Sequence, residues 1–348
     1  SFLVGNTSFA QSAWYANVLN NIGGNNLQRI QFVNNLTGYA CGGHGTLIKT
    51  TNGGYTWTPI ATGSSVFLTC MYFINGNTGW VAGVEPFVRK TTNGGATWTA
   101  TPIDIINTYE AFCMQFVNDQ TGYISSLRRF HKTTDAGATW NTINEQGFLN
   151  LGNFQFINEY IGFAIDGTQL RRTYNSGINW YDAPINYIGG ADYKCAYFFN
   201  EMTGWLAGSF QMRKTTDGGV TVGPIIPTEI EFPYALKFMN ENTGWLAGKH
   251  NYHTGMICTT SDATNWINRV LENNTAYFCI DYIDANKVFI GGNSRITSSI
   301  NTSTSVSPIS NEIPDRFSLK QNYPNPFNPV TKINFNLKSS SFTSLKIY

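Results

Sequence analysis

Charge is scarce in this chain: Asp, Glu, Lys and Arg together make up 12% of 348 residues, and the formal net charge is +1. That leaves no basic footprint for nucleic acid or an anionic membrane surface, so neither is expected as a partner. Histidine is rarer still, with four residues, and no zinc-type Cys/His spacing or CxxC occurs, so no metal and no cofactor are expected. No apolar run approaches the roughly 18 residues that a membrane-crossing helix needs. A disulfide framework is also missing. Cys70, Cys113, Cys195 and Cys279 each lie three residues before an aromatic, namely Phe73, Phe116, Phe198 and Tyr282. A position repeated in that way reads as a small buried hydrophobe with a free thiol.

What the chain has instead is glycine, asparagine, threonine and aromatic side chains. Glycine and asparagine supply tight turns, while aromatic and β-branched residues fill pleated surfaces, so short strands joined by turns are expected. The segment Gln31-Phe-Val-Asn-Asn-Leu-Thr-Gly-Tyr39 recurs from Tyr72 to Trp80, Gln115 to Tyr123, Gln155 to Phe163, Tyr197 to Trp205 and Lys237 to Trp245. A weaker copy runs from Asp281 to Phe289. The glycines at 38, 79, 122, 162, 204 and 244 set a period of 40 to 43 residues, the length of a propeller blade.

Each copy leads into a second signature, such as Thr50-Thr-Asn-Gly-Gly-Tyr-Thr-Trp57. It places Asn52 with Trp57, Asn93 with Trp98, Asp135 with Trp140 and Asn175 with Trp180; Asp217 has Val222 at the last position, and a looser copy ends at Trp266. This resembles the Asp-box of sialidase-type propellers, which implies a turn between the third and fourth strands of a blade and a structural role. The Asn or Asp bonds the backbone of its own turn, and the glycine takes positive φ. The Trp packs between sheets, and burying about 150–250 Å² is worth roughly 4–6 kcal/mol as an upper estimate.

The expected fold is therefore all-β: a seven-bladed propeller over residues 13–300. Its seventh repeat lacks an outer Trp strand. Trp14-Tyr-Ala-Asn-Val-Leu19 matches the fourth strand of the sixth repeat, which begins at Trp266, so this N-terminal segment is expected to complete the seventh blade and close the ring. Residues 1–12 carry small residues at cleavage spacing (Ser8 with Ala10, Ala10 with Ser12) and are read as a signal-peptide remnant.

Residues 301–313 are rich in Ser and Thr and read as a linker. Beyond them stands Gln321-Asn322-Tyr323-Pro324-Asn325-Pro326-Phe327-Asn328-Pro329, continuing to Thr331. This resembles the opening of the C-terminal sorting domain of the type IX secretion system. The resemblance implies that residues 314–348 begin an immunoglobulin-like β-sandwich, that the secretion machinery is a partner, and that the chain is secreted or attached to the cell surface.

Over residues 14–300 the repeats resemble the photosystem II stability and assembly factor family of propellers, which implies a non-enzymatic protein-binding module and, by the family's habit, arginines at the contact surface. The recurring cations Lys49, Lys90, Lys132, Arg172 and Lys214, joined by Arg89, Arg171, Arg213 and Arg295, then read either as a partner-binding patch or as a solvated strand position. Loops between second and third strands carry His44, Glu85, Phe87, Arg128, Phe130, Asp166, Phe210, Gln211, His250, Tyr252 and His253. They are the expected contact surface for an extracellular protein or glycan, on a protein expected to be monomeric. The alternative is a secreted glycoside hydrolase of sialidase-like or xyloglucanase-like type. It needs two carboxyl groups flanking the scissile bond, for which Tyr109-Glu110 and Asp166 are the candidates.

Overall fold

In the computed structural model the described residues are 14–18, 25–84, 87–103, 111–126, 129–144, 151–166, 169–187, 193–251, 254–273 and 275–299, with the backbone of 318–319, 323–328, 330–332 and 335–336. The chain divides into two units, Ser1–Thr302 and Ser303–Tyr348. Among the described residues no helix is long and apolar enough to cross a membrane.

The first unit is a seven-bladed β-propeller of four-stranded antiparallel sheets. Blade 1 comprises Leu27–Phe32, Gly38–Gly42, Leu47–Thr50 and Thr58–Pro59. Blades 2 to 6 repeat this order, with inner strands Leu68–Phe73, Ala111–Phe116, Leu151–Phe156, Tyr193–Phe198 and Phe232–Phe238. Blade 7 runs Tyr277–Asp284, Lys287–Gly292 and Arg295–Ser298, and its outermost strand is Tyr15–Val18, with Tyr15 opposite Ser298. Inner strands of neighbouring blades touch around a complete cycle from blade 1 to blade 7 and back.

The repeated residues explain themselves in packing. The Asn that follows each inner strand folds back on its own turn: Asn34 Oδ1 accepts from Leu36 N (2.9 Å) and Thr37 N (2.7 Å), and Asn75, Asn118, Asn158, Asn200 and Asn240 do the same. The glycine that opens the second strand lies under the inner-strand aromatic. A Cβ on Gly38 would come 2.8 Å from the Phe32 ring. The aromatic after that glycine stacks on the inner aromatic of the next blade: Tyr39 on Phe73 (3.6 Å between centroids), Trp80 on Phe116 (3.8 Å), Tyr123 on Phe156 (3.8 Å) and Phe163 on Phe198 (3.5 Å). The series ends with Phe289 of blade 7 on Phe32 of blade 1, at 4.4 Å.

Seven hydrophobic clusters result, one at each seam between blades. The Asp-box Trp sits in the seam edge-on to the inner Phe of its own blade, as Trp57 does on Phe32 (5.8 Å, 78°) and Trp140 on Phe116 (5.8 Å, 80°). Trp98, Trp180 and Trp266 repeat the contact on Phe73, Phe156 and Phe238. Two seams differ. Val222 replaces the Trp between blades 4 and 5, and Trp14 takes the place between blades 6 and 7.

The Asp-box turns lie between third and outer strands. In blade 1, Thr50 Oγ1 accepts from Gly54 N (3.0 Å), Asn52 Oδ1 accepts from Thr56 N (3.0 Å), and Asn52 Nδ2 donates to Thr56 Oγ1 (2.9 Å). Gly54 has φ +86°, and a Cβ there would collide with the Phe289 ring of blade 7. The second unit contains two short antiparallel pairs, Ser318–Leu319 with Phe335–Asn336 and Tyr323–Asn328 with Val330–Lys332. Residues 1–12, 301–313, Gln321, Asn322 and Pro329 lie outside the described residues.

Candidate binding face

Side chains already committed to holding blades together cannot also form a ligand site, and the recurring cations are such a set. Lys49 Nζ donates to Gly94 O (3.2 Å), Lys90 Nζ to Ala136 O (2.7 Å) and Arg172 Nη1 to Gly218 O (2.9 Å). Each reaches from one blade to the Asp-box turn of the next. The ammonium groups also lie over aromatic rings: Lys49 over Tyr39, Lys90 over Trp80, Lys132 over Tyr123 and Lys214 over Trp205, at 5.2 to 5.7 Å. The repetition of Lys49, Lys90 and Arg172 thus records a staple between blades; neither a free patch nor a solvated strand position describes it. Arg89 donates to Thr62 O (2.8 Å), Arg171 bridges Asp166 (2.7 Å) and Asp182 (3.2 Å), and Arg295 pairs with Glu272.

A second staple runs nearer the axis. Gln31 donates to Phe73 O (2.9 Å) and accepts from Phe73 N (2.8 Å), clipping blade 1 to blade 2. Gln115 clips Phe156 and Gln155 clips Phe198 in the same way. In blade 7 the position is Asp281, whose Oδ2 accepts from Phe32 N (2.6 Å) while its Oδ1 faces Lys237 Nζ at 3.0 Å.

What remains is at the other end of the blades, where second strands turn into third strands. His44 is exposed at φ +50°, with Nδ1 2.6 Å from Asn25 Oδ1. Phe210 is 45% exposed and stands edge-on to His250, with centroids 5.9 Å apart. His250 Nδ1 donates to Glu229 O (2.8 Å), and Asn251 N donates to Glu231 Oε2 (3.0 Å). Phe87 is half-buried in the seam of blades 1 and 2, with the Arg89 guanidinium 5.0 Å away over its ring.

Phe130 requires a correction. It is fully buried between blades 3 and 4, 5.1 Å from Phe154 and 5.5 Å from Trp180, so it offers no contact to a ligand. The third strand of that blade begins at Arg129, which places Phe130 inside the strand with its side chain toward the core. Glu85, Arg128, Tyr252 and His253 lie outside the described residues, as do Tyr109 and Glu110.

Beside Phe210 and His250, the inner strands of blades 6 and 7 add aromatic side chains that the loop-based reading passes over. The Lys249 ammonium lies over Phe232 (4.8 Å) and Tyr234 (6.0 Å), and Tyr234 packs on Phe278 (5.1 Å). Phe232 and Lys249 are directly opposite in the sheet. Tyr234 and Phe278 hold the same repeat position as Phe112, whose carbonyl accepts from Arg29 Nη2 (3.1 Å) reaching from blade 1 past blade 2. The signal for this cluster was in the repeat itself: one inner-strand position turns aromatic in blades 3, 6 and 7, where the repeat's core does not require it.

Two carboxylates are ion-paired: Asp166 with Arg171 at 2.7 Å and Asp281 with Lys237 at 3.0 Å. Burial pushes the thiols of Cys70, Cys195, Cys258 and Cys279 up to about 12, which leaves them protonated and unreactive at neutral pH. Among the described residues no group of three His, Cys, Asp or Glu side chains is placed to hold a metal.

A family model described as photosynthesis system II assembly factor YCF48 matches residues 6–148. No curated protein matches the chain. Among solved structures, YCF48 bound to D1 peptide is similar over 83% of this chain and 97% of its own, at 19% identity and a TM-score of 0.70. YCF48 from Cyanidioschyzon merolae is similar over 82% and 98%, at 14% identity and a TM-score of 0.63. A GH74 enzyme of Niastella koreensis is similar over 81% of this chain but 53% of its own, at 13% identity and a TM-score of 0.64. At such identities the likeness establishes the propeller fold.

Proposed function

We propose that this chain is a non-enzymatic propeller that binds an extended polypeptide across the loop face of blades 5 to 7. The observation that carries the reading is the cluster of Lys249, Phe232, Tyr234 and Phe278 beside the Phe210–His250 pair. Flat aromatic rings next to a cation offer area at low entropic cost and a partner for backbone carbonyls. The likeness to a propeller whose structure holds a D1 peptide supports a polypeptide over other ligands. The N-terminal strand closes the ring; its pairing with Arg295–Ser298 and the seat of Trp14 support this. Residues 321–331 act as a type IX export signal opening a small β-sandwich, and the protein works outside the cell; the motif and the short hairpin at Tyr323–Lys332 support it.

A secreted glycosidase is the second reading, favoured by the likeness to the GH74 enzyme. One experiment separates them. The full chain is applied to an array of extended peptides and to a glycan array, with mass spectrometry of anything released. Peptide retention lost in Tyr234→Ala and Lys249→Ala supports the proposal. Release of sugar product overturns it, and glycan retention without cleavage keeps the face but changes the ligand.

A further inference from the structure

Register sets Arg29 apart from the other inner-strand residues at its level. It is opposite Cys41 in blade 1, as Cys70 is opposite Ala82, Cys113 opposite Ser125, Cys195 opposite Ala207 and Cys279 opposite Gly291. Four blades place a small buried thiol where blade 1 places a guanidinium; blades 4 and 6 have Asn153 and Ala235. A guanidinium cannot share the seam that a cysteine fills, and Arg29 turns elsewhere. Its Nη2 donates to Phe112 O of blade 3 (3.1 Å), while Nη1 donates to Gln28 O (2.9 Å). A reach from blade 1 to blade 3 that passes blade 2 runs on the axial side of the inner strands. The half-buried guanidinium therefore lies in the central channel.

Two of its five N–H donors are spent on carbonyls, and among the described residues no carboxylate pairs with it. The seven inner strands hold two acids, both in blade 7, and each already faces a lysine: Asp281 with Lys237 (3.0 Å) and Asp284 with Lys287 (3.5 Å). The residue bulged out of register just before the Arg29 level is Phe112 in blade 3, Lys194 in blade 5, Tyr234 in blade 6 and Phe278 in blade 7. Lys194 thus brings a second positive charge to this ring, beside the packed rings of Tyr234 and Phe278. A channel lined by one sign of charge between low-dielectric walls concentrates counterions. A guanidinium drawn away from bulk water favours a partner anion in the same way.

We propose that the central channel binds a small free anion, such as chloride or formate, on the unused donors of Arg29. Lys194 adds attraction from across the axis. The Arg29 side chain already occupies the channel, which restricts the guest to a few atoms. The anion neutralises a charge that otherwise weighs against closing the ring, and it does so independently of any ligand on the loop face.

The test uses the full chain and its thermal midpoint in sodium chloride, sodium formate or sodium gluconate at one ionic strength, gluconate being the bulky control. Chloride or formate at a hundredfold excess over its dissociation constant should raise the parent midpoint by about 4 °C over gluconate. Arg29→Ala, the residue that blade 6 uses, should lose that response and in gluconate should melt at or above the parent. Arg29→Lys keeps the charge without the planar fork and should hold only part of the response. Chloride NMR linewidth reads binding without unfolding. The line should broaden with the parent, sharpen when formate is added, and stay narrow with Arg29→Ala. Equal parent midpoints in all three salts, with a narrow chloride line, would overturn the inference, as would a response that survives in Arg29→Ala. An Arg29→Ala midpoint that falls equally in every salt would also overturn it and assign the guanidinium to a carboxylate of the chain itself.

Discussion

The inner clip between blades 4 and 5 is the place to test how the ring is held. Gln155 spends both polar atoms on Phe198, donating to its carbonyl and accepting from its amide, each at 2.8 Å. Leucine has nearly the same shape and neither group. Gln155→Leu therefore leaves a backbone N–H and a C=O without partners next to a buried Phe198. At about 1–3 kcal/mol for each stranded group, the loss should be about 2–6 kcal/mol. For roughly 290 residues the unfolding entropy is about 0.6 kcal/mol/K, so the midpoint should fall by about 3–10 °C in calorimetry. The seam is a sensitive one, because it has Val222 where others have Trp. Gln155→Glu adds a signature. The ionised carboxylate faces the Phe198 carbonyl with no counterpart to the Lys237 that serves Asp281, so its folded pKa is raised above the unfolded value of about 4.3. Its stability is then fully present below that value and is lost as pH rises through the folded pKa. The Glu variant should lie closest to the parent near pH 4 and furthest at pH 7. A Leu variant within about 0.5 kcal/mol of the parent, or a Glu variant with no such trend, would refute the reasoning.

Other consequences are simpler to measure. The carboxyl of Asp135 is held down to about 2 by the Thr139 hydroxyl and backbone; at Asp217 desolvation pushes upward but Thr221 outweighs it, again to about 2. Their stabilisation is present above the ordinary value near 3.8 and is lost as pH falls from about 4 toward 2. Asn at both positions, as in blades 1 and 2, should flatten the acid limb of a pH-denaturation curve. Phe130→Ala should cost about 3–5 kcal/mol in urea unfolding yet leave peptide retention intact, the reverse of Lys249→Ala. Trp14→Ala should cost about 2–4 kcal/mol, less than a fully buried Trp, because Trp14 is half-buried.

The propeller was legible because its repeated letters are fixed by packing that permits few substitutes. An aromatic must lie over Gly38 and its counterparts, and a Trp fills six of the seven seams, so both survive as a pattern. The second layer of the design was present but unread. Gln31, Gln115 and Gln155 look like polar filler beside a Phe, and only the neighbouring blade shows that each glutamine is a two-point clip. The cations before each Asp-box were seen to recur, yet their acceptors lie some 45 residues away (Lys49 to Gly94 is 45, Lys90 to Ala136 is 46), beyond any local rule. Phe130 was misplaced because the connection before it is two residues shorter than those of blades 1 and 2, and one residue of register separates loop from core. Tyr234, Phe278 and Lys249 went unnoticed because they converge from different repeats.

The aromatic stack that passes from each blade to the next runs in one direction and returns from Phe289 to Phe32. A closed directional chain of contacts has no privileged beginning. The strand at Tyr15–Val18 pairs with Arg295–Ser298, so stretches far apart in sequence share one antiparallel ladder within a blade. Circularly permuted versions opened between the third and outer strands of another blade would preserve every stacked pair and lose only the staple that ends on the opened turn. Duplication of one genetic repeat would likewise bring a donor and an acceptor together, so the ring can be rewritten in whole units without exposing an edge.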